Sequence, residues 1–170
     1  ETGDLSVLDA EIPFLDKDMQ TPVAPASMWD HLMRGIEFTE NDLGAHNLPL
    51  ILFSDWNDHV GPFGRKGRGE TVFVSQQHIY ALRQLSELAE LRGDREAVNR
   101  FAGLIAKQEK ALKEYAWDGK WYLRGLDDDA NPIGSSTQDY AKIWGNTQSW
   151  MIIAGSGETD KNVQAMDSVK

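Results

Sequence analysis

The chain has 170 residues, enough for one domain with a sizeable core, and its apolar and charged fractions are ordinary for a globular protein. With 27 acidic against 17 basic residues its formal net charge is −10, a field that repels phosphodiester backbones and anionic lipids and so argues against nucleic-acid or peripheral membrane binding. No cysteine is present, which excludes a disulfide framework and a thiolate nucleophile and is compatible with a reducing cytoplasm, and no apolar run approaches the length of a membrane span.

Residues 1–26 read as irregular, punctuated by Pro13, Pro22 and Pro25 and anchored by Leu8, Ile12, Phe14 and Leu15. The start lacks an initiator Met and a signal core, and the end reads as helix without a stop signal. Both lead to the expectation of an internal piece of a longer chain. Helix is predicted from Ser27, with Ser27 and Asp30 as a capping pair and Trp29, Leu32, Met33 and Ile36 on one face, stopping near Gly44. Residues 45–69 read as a long functional loop. An apolar run, Leu48 to Phe53, enters it; Asp55-Trp56-Asn57-Asp58 follows; then comes Gly64-Arg65-Lys66-Gly67-Arg68-Gly69.

A second helix is predicted from Glu70 to Arg92, ending at Gly93, with His78, Leu82, Leu85 and Ala89 as its buried stripe. A third runs from Asp94 or Arg95 to Ala116, through Phe101, Leu104, Ile105, Gln108 and Leu112. The short connection makes the two helices antiparallel neighbours. Lys120-Trp121-Tyr122-Leu123-Arg124 reads as a short strand or hairpin arm, and Asp127 to Pro132 as a turn. A short apolar helix from Thr147 to Ala154, broken by Gly155 and Gly157, and a last helix from Glu158 or Thr159 complete the chain. The fold class is therefore mainly α, with one elaborate loop and a short β-hairpin.

The motif at 55–58 has two readings. Asp and Asn bend and cap chains well, so a polar turn is the plain one. Against it stand the apolar lead-in, the aromatic between two carboxylates and the glycine-rich stretch that follows. A carboxylate desolvated by an indole titrates higher, as a general acid near neutral pH requires, and Trp56 offers a face to a pyranose ring. For the glycine-rich stretch, close backbone approach plus Arg65, Lys66 and Arg68 could hold a phosphate; a solvated basic loop is the equal alternative. It is not a Walker loop. Asp127 to Asn131 mimics a calcium loop but carries Pro132 where Gly is needed and Gln138 where Glu is needed. His31, His46, His59 and His78 have no metal-ligand spacing, so no metal site is expected. Trp29, Trp121, Trp144 and Trp150 read as core.

The succession Leu48-Pro49-Leu50, Asp55-Trp56-Asn57-Asp58, Gly67-Arg68-Gly69-Glu70-Thr71-Val72, Trp117-Asp118-Gly119-Lys120-Trp121-Tyr122-Leu123-Arg124 and Thr147-Gln148-Ser149-Trp150 resembles glycoside hydrolase family 94, the cellobiose, chitobiose and related β-glycoside phosphorylases. The upstream Leu8-Asp9-Ala10-Glu11-Ile12-Pro13-Phe14-Leu15 resembles it too, so the likeness spans the chain. The resemblance implies that residues 1–170 are part of an (α/α)6 barrel catalytic domain whose parent chain extends on both sides. It implies inverting phosphorolysis of a β-linked di- or oligosaccharide to an α-sugar 1-phosphate. Asp58 would be the general acid and inorganic phosphate the nucleophile, with no other cofactor. Phosphate, already an anion, replaces both the base and the water of an inverting hydrolase.

By the same resemblance Trp56, Asp55 and Asn57 are the substrate-binding candidates, with Asp55 and Asn57 chiefly holding the loop's shape. Arg65, Arg68 and Glu70 are candidate loop contacts. The parent is expected to be cytoplasmic, in a family that is often dimeric, with further sugar-binding residues upstream and phosphate-binding residues downstream. Many members have Gly-Met where this chain has His59-Val60, and Glu-Ser-Val-Trp where it has Glu70-Thr71-Val72-Phe73, so an acceptor preference unlike cellobiose is expected. Two alternatives remain: a hydrolase on the same scaffold, and a non-catalytic carbohydrate-binding helical domain.

Overall fold

The computed structural model describes residues 3–20 and 22–170. The chain divides into two compact units, one ending at Asn41 and one running from Asp42 to Lys170. The described part is mainly helical, with two small antiparallel sheets.

The first unit corrects the expectation of irregular chain before residue 27. After a 3-10 turn at Leu5–Asp9, β1 (Glu11–Leu15) pairs with β2 (Pro22–Ser27) as an antiparallel ribbon, in the register Glu11↔Ser27, Ile12↔Ala26, Pro13↔Pro25 and Leu15↔Pro22. The prolines that argued against strands are tolerated because a two-stranded ribbon has only edges, where a missing N–H can face outward. Pro13 and Pro25 sit opposite each other, and the register slips just beyond them. Helix α1 (Met28–Asn41) starts with the expected reciprocal cap: Ser27 Oγ accepts from the Asp30 amide at 3.1 Å, and the Asp30 carboxylate accepts from the Ser27 amide at 3.2 Å. The helix ends at Asn41, before the Gly44 expected from the sequence. Phe14 stacks on His31 at 3.7 Å, with the Arg34 guanidinium 4.1 Å from the Phe14 ring centroid.

In the second unit, β3 (Glu70–Thr71), α2 (Val72–Arg92), α3 (Arg95–Tyr115), β4 (Gly125–Leu126), β5 (Pro132–Ile133), α4 (Gly145–Ile153) and α5 (Thr159–Asp167) follow in order. The second helix starts two residues later than the sequence suggested. Glu70 and Thr71 are strand, paired as Glu70↔Leu126 and Thr71↔Gly125, and Thr71 Oγ1 then caps the helix by accepting from the Val74 amide at 3.3 Å. Gly93 ends α2 with φ +74, and Asp94 caps α3 through the Ala97 amide at 3.0 Å. The helices pack antiparallel, Ser75 Oγ donating to Gln108 Oε1 at 2.7 Å in their buried seam.

The expected strand at 120–124 is displaced. Only a Trp117↔Tyr122 bridge forms there, and the hairpin is β4–β5, joined through the Asp127 turn. There the Asp127 carboxylate takes the amides of Asp129 and Asn131 at 2.9 and 2.8 Å. At Gly125 a Cβ would run into the Glu70 carbonyl oxygen, so the central strand of the sheet needs glycine.

The core gathers Leu48, Val72, Ile79, Leu112, Tyr122 and Met151, with Trp117 and Trp121 against it. A smaller cluster of Ile51, Val60 and Ile133 carries Trp144. Burial and the charge of Glu158 push the Tyr122 phenol up to about 12, and its hydroxyl donates to Asn162 at 2.7 Å. Among the described residues no helix is long and apolar enough to cross a membrane.

Candidate active site

The apolar run that enters the loop is only half core. Leu48 and Ile51 are buried, but the chain turns at Leu52, where φ is +53, and throws Phe53 out to 96 % exposure. The motif begins two residues later, and its two carboxylates have opposite surroundings.

Asp55 faces inward, its side chain 4 % exposed, and pairs with the equally buried guanidinium of Arg124. Arg124 Nη2 donates to both Asp55 oxygens at 2.5 and 2.6 Å, and Nη1 donates to Thr71 Oγ1 at 2.9 Å. Thr71 Oγ1 donates onward to Asp55 Oδ2 at 2.9 Å, and the Asn57 amide donates to Asp55 Oδ1 at the same distance. Asn57 Oδ1 accepts from Arg124 Nη2 at 3.2 Å and from Asn146 Nδ2 at 2.8 Å.

Asp58 opens a 3-10 helix, Asp58–Gly64, and its side chain is exposed with no hydrogen-bond partner among the described residues. It borders an open depression of about 870 Å³ lined also by Leu52, Phe53, Ser54, Gly61 and Arg65. Trp56 is 82 % exposed and is not among the lining residues. The burial of Asp58 by the neighbouring indole, expected from the sequence, is therefore not supplied by this chain: both side chains point to solvent.

The glycine-rich stretch already holds an anion, the chain's own Asp128. Its carboxylate accepts from the amides of Lys66, Arg68 and Gly69 at 2.8, 2.9 and 3.0 Å, while its own amide donates to the Phe63 carbonyl at 2.9 Å. Burial pushes this carboxyl up, but the three amides and the nearby Arg68 outweigh burial and hold it below the usual carboxylate range. Lys66 and Arg68 are tied to Asp129 at 2.7 and 3.0 Å, and Arg68 Nε donates to the Asp128 carbonyl at 2.9 Å. The backbone nest of the phosphate reading is thus filled internally, and of the loop's three cations Arg65 alone has no ion-pair partner among the described residues.

Glu70, 2 % exposed, is turned away to the preceding loop. It accepts from the His46 and Leu48 amides at 3.0 and 3.3 Å and pairs with His46 Nδ1, while Gly44 passes so close that a Cβ there would strike the Glu70 side chain. The structure thus brings Asp58 and Arg65 to one depression, sets Asp55 and Asn57 behind it, and turns Arg68 and Glu70 to holding loops. No cluster of three or more metal-binding side chains occurs among the described residues.

Sequence reasoning missed Arg124, Asn146 and Asp128. They meet the loop across 69, 89 and 62 positions, and nothing local to Leu-Arg-Gly or Gly-Asn-Thr announces such a partner. For Asp128 a signal existed: a run of three aspartates with only one needed for its turn.

The whole chain, residues 1–170, matches the family model described as "Glycosyl hydrolase 94 superfamily, catalytic domain". Over 99 % of its length it is 32 % identical to the solabiose phosphorylase of Paenibacillus borealis and 31 % identical to the N,N'-diacetylchitobiose phosphorylase of Vibrio furnissii. It is also 30 % identical to a cyclic beta-(1,2)-glucan synthase of Rhizobium meliloti. The chain spans 21 % and 20 % of the two phosphorylases and 6 % of the synthase, so it matches about a fifth of the phosphorylases' length.

Proposed function

The chain belongs to the glycosyl hydrolase 94 superfamily, and we propose that its parent enzyme cleaves a β-linked di- or oligosaccharide with inorganic phosphate, inverting the anomeric centre to give an α-sugar 1-phosphate. Residues 1–170 then form part of an (α/α)6 barrel catalytic domain of a cytoplasmic enzyme, working with phosphate and no bound cofactor. The related phosphorylases support the reaction class.

The observation that carries the residue assignment is the asymmetry of the motif. Asp55 is consumed in a buried ion pair, whereas Asp58 has no partner among the described residues and borders a depression. One free carboxylate suits a reaction that needs a proton donor and no base, because phosphate brings its own nucleophilic oxygen. Asp58 protonates the glycosidic oxygen as the C–O bond breaks, and phosphate attacks the anomeric carbon from the opposite face. Trp56, on the exposed side of the same turn, stacks on a sugar ring. Bound sugar and the rest of the parent enzyme supply the burial that Asp58 lacks here. Phe53 and Arg65 line the same depression as Asp58 and are available to the substrate, while Asp55, Asn57, Arg68 and Glu70 keep the loops in shape.

Product analysis of the complete enzyme tests this. Incubation with a β-linked disaccharide should give an α-sugar 1-phosphate only when phosphate is present. Release of free sugar at the same rate without phosphate would instead make the enzyme a hydrolase.

A further inference from the structure

We propose that Arg124 and Asn146 are positioning residues that aim Asp58 at the glycosidic oxygen, a role that rests on reading Asp58 as the proton donor. The Asp58 carboxylate has no side-chain or backbone partner of its own among the described residues, so the backbone that carries it sets the position from which its rotamers can reach a ligand. That backbone is fixed one residue earlier. Asn57 Oδ1 has two lone pairs, and each is taken by a donor from a different element: Arg124 Nη2 from the segment leading into β4, and Asn146 Nδ2 from the first turn of α4. The Asn57 amide is held by Asp55, itself held by Arg124, and the Asn57 carbonyl accepts from the Val60 amide at 3.0 Å to start the turn in which Asp58 lies.

Arg124 is built for aim. It is 1 % exposed and sits between the rings of Phe73 and Trp144, its guanidinium carbon 5.0 and 5.4 Å from their centroids. Its Nε is buried with no partner, so the hydrogen bonds it makes come from its two Nη atoms and go to Thr71, Asp55 and Asn57. A buried ion pair contributes little net stability over an apolar pair of the same shape, because desolvation offsets the attraction. The planar guanidinium fork instead fixes three acceptors in one geometry, which a lysine ammonium cannot reproduce. Misplacing a reacting group by about 1 Å can cost on the order of 10²-fold in rate.

The test is a double-mutant cycle in the complete enzyme, with kcat and KM on an unactivated disaccharide for Asn146→Ala, Asp58→Asn and both together. Asn146 is half-buried and outside the motif, so its truncation is the milder perturbation; Arg124→Lys is the second variant, with thermal unfolding recorded for each. Asn146→Ala should lower kcat about 10- to 100-fold with KM little changed. In the Asp58→Asn background the same substitution should have almost no further effect, because the group it aims is gone. Arg124→Lys should repeat this pattern. A crippled Asp58→Asn enzyme in which Asn146→Ala still costs its full factor would overturn the clamp and leave the acid standing. Near-normal turnover of Asp58→Asn would overturn the acid reading itself.

Discussion

Asp55 and Asp58 carry the same side chain three positions apart, yet one is sealed against Arg124 and the other left open. What separates them is that, among the described residues, only Asp55 meets a partner, and that partner comes from far along the chain. Trp56 follows the same logic. At 82 % exposure it contributes little to the core, so Trp56→Ala should leave folding nearly intact. If it stacks on sugar, its loss should raise KM for the disaccharide about five- to tenfold, the equivalent of roughly 1–1.4 kcal/mol; an unchanged KM would remove it from the site.

Asp128 supplies a pH dependence. Its folded carboxyl titrates below the unfolded value, so its contribution is fully present above the ordinary carboxylate range and is lost as pH falls through the lowered folded value. Hydrogen exchange at the amides of Lys66, Arg68 and Gly69 in the complete enzyme should therefore be slow at neutral pH. Relative to the intrinsic rate it should accelerate in acid below about pH 4. Asp128→Asn should show the accelerated exchange already at pH 7. Equal protection in the two proteins would mean that the nest does not need the charge.

At the scale of elements, Gly93 gives a clean test of the helical hairpin. A Cβ there meets nothing within 4 Å, so Gly93→Ala is penalised only by its φ of +74 and should destabilise by about 1 kcal/mol. Gly93→Asn should lose less, and denaturant unfolding would rank them. This hairpin was legible in the sequence because its signals are local: the α3 stripe of Phe101, Gln108 and Leu112, the glycine, and Asp94 as cap. The capping pair at Ser27 and Asp30 was legible for the same reason.

The strands were not. The ribbon at 11–27 carries prolines that deny strand in a sheet interior, and only pairing, which sequence pattern does not display, makes them edge residues. The β4–β5 hairpin has two-residue strands, too short for any period-2 pattern to register. The motif at 55–58 could be found because its chemistry-bearing residues are contiguous. The frame that holds it could not, because Arg124 and Asn146 lie 69 and 89 positions away and meet it only through tertiary structure.

At the scale of the whole molecule, Phe38 on α1, Leu91 on α2, Ile152 and Ile153 on α4 and Val163 on α5 are all more than 45 % exposed. The chain spans about a fifth of the related phosphorylases. These 170 residues alone are therefore expected to be inactive, and measurable phosphorolysis by them, together with a cooperative monomeric unfolding transition, would refute that expectation.

On the proposed reading one carboxylate, Asp58, does the proton transfer and Asp55 does not. That assignment is tested most directly by the turnover of the complete Asp58→Asn enzyme on an unactivated disaccharide with saturating phosphate. A loss of about 10²- to 10⁴-fold in kcat is expected, the usual consequence of removing a general acid. Turnover within a few-fold of the unsubstituted enzyme would contradict it.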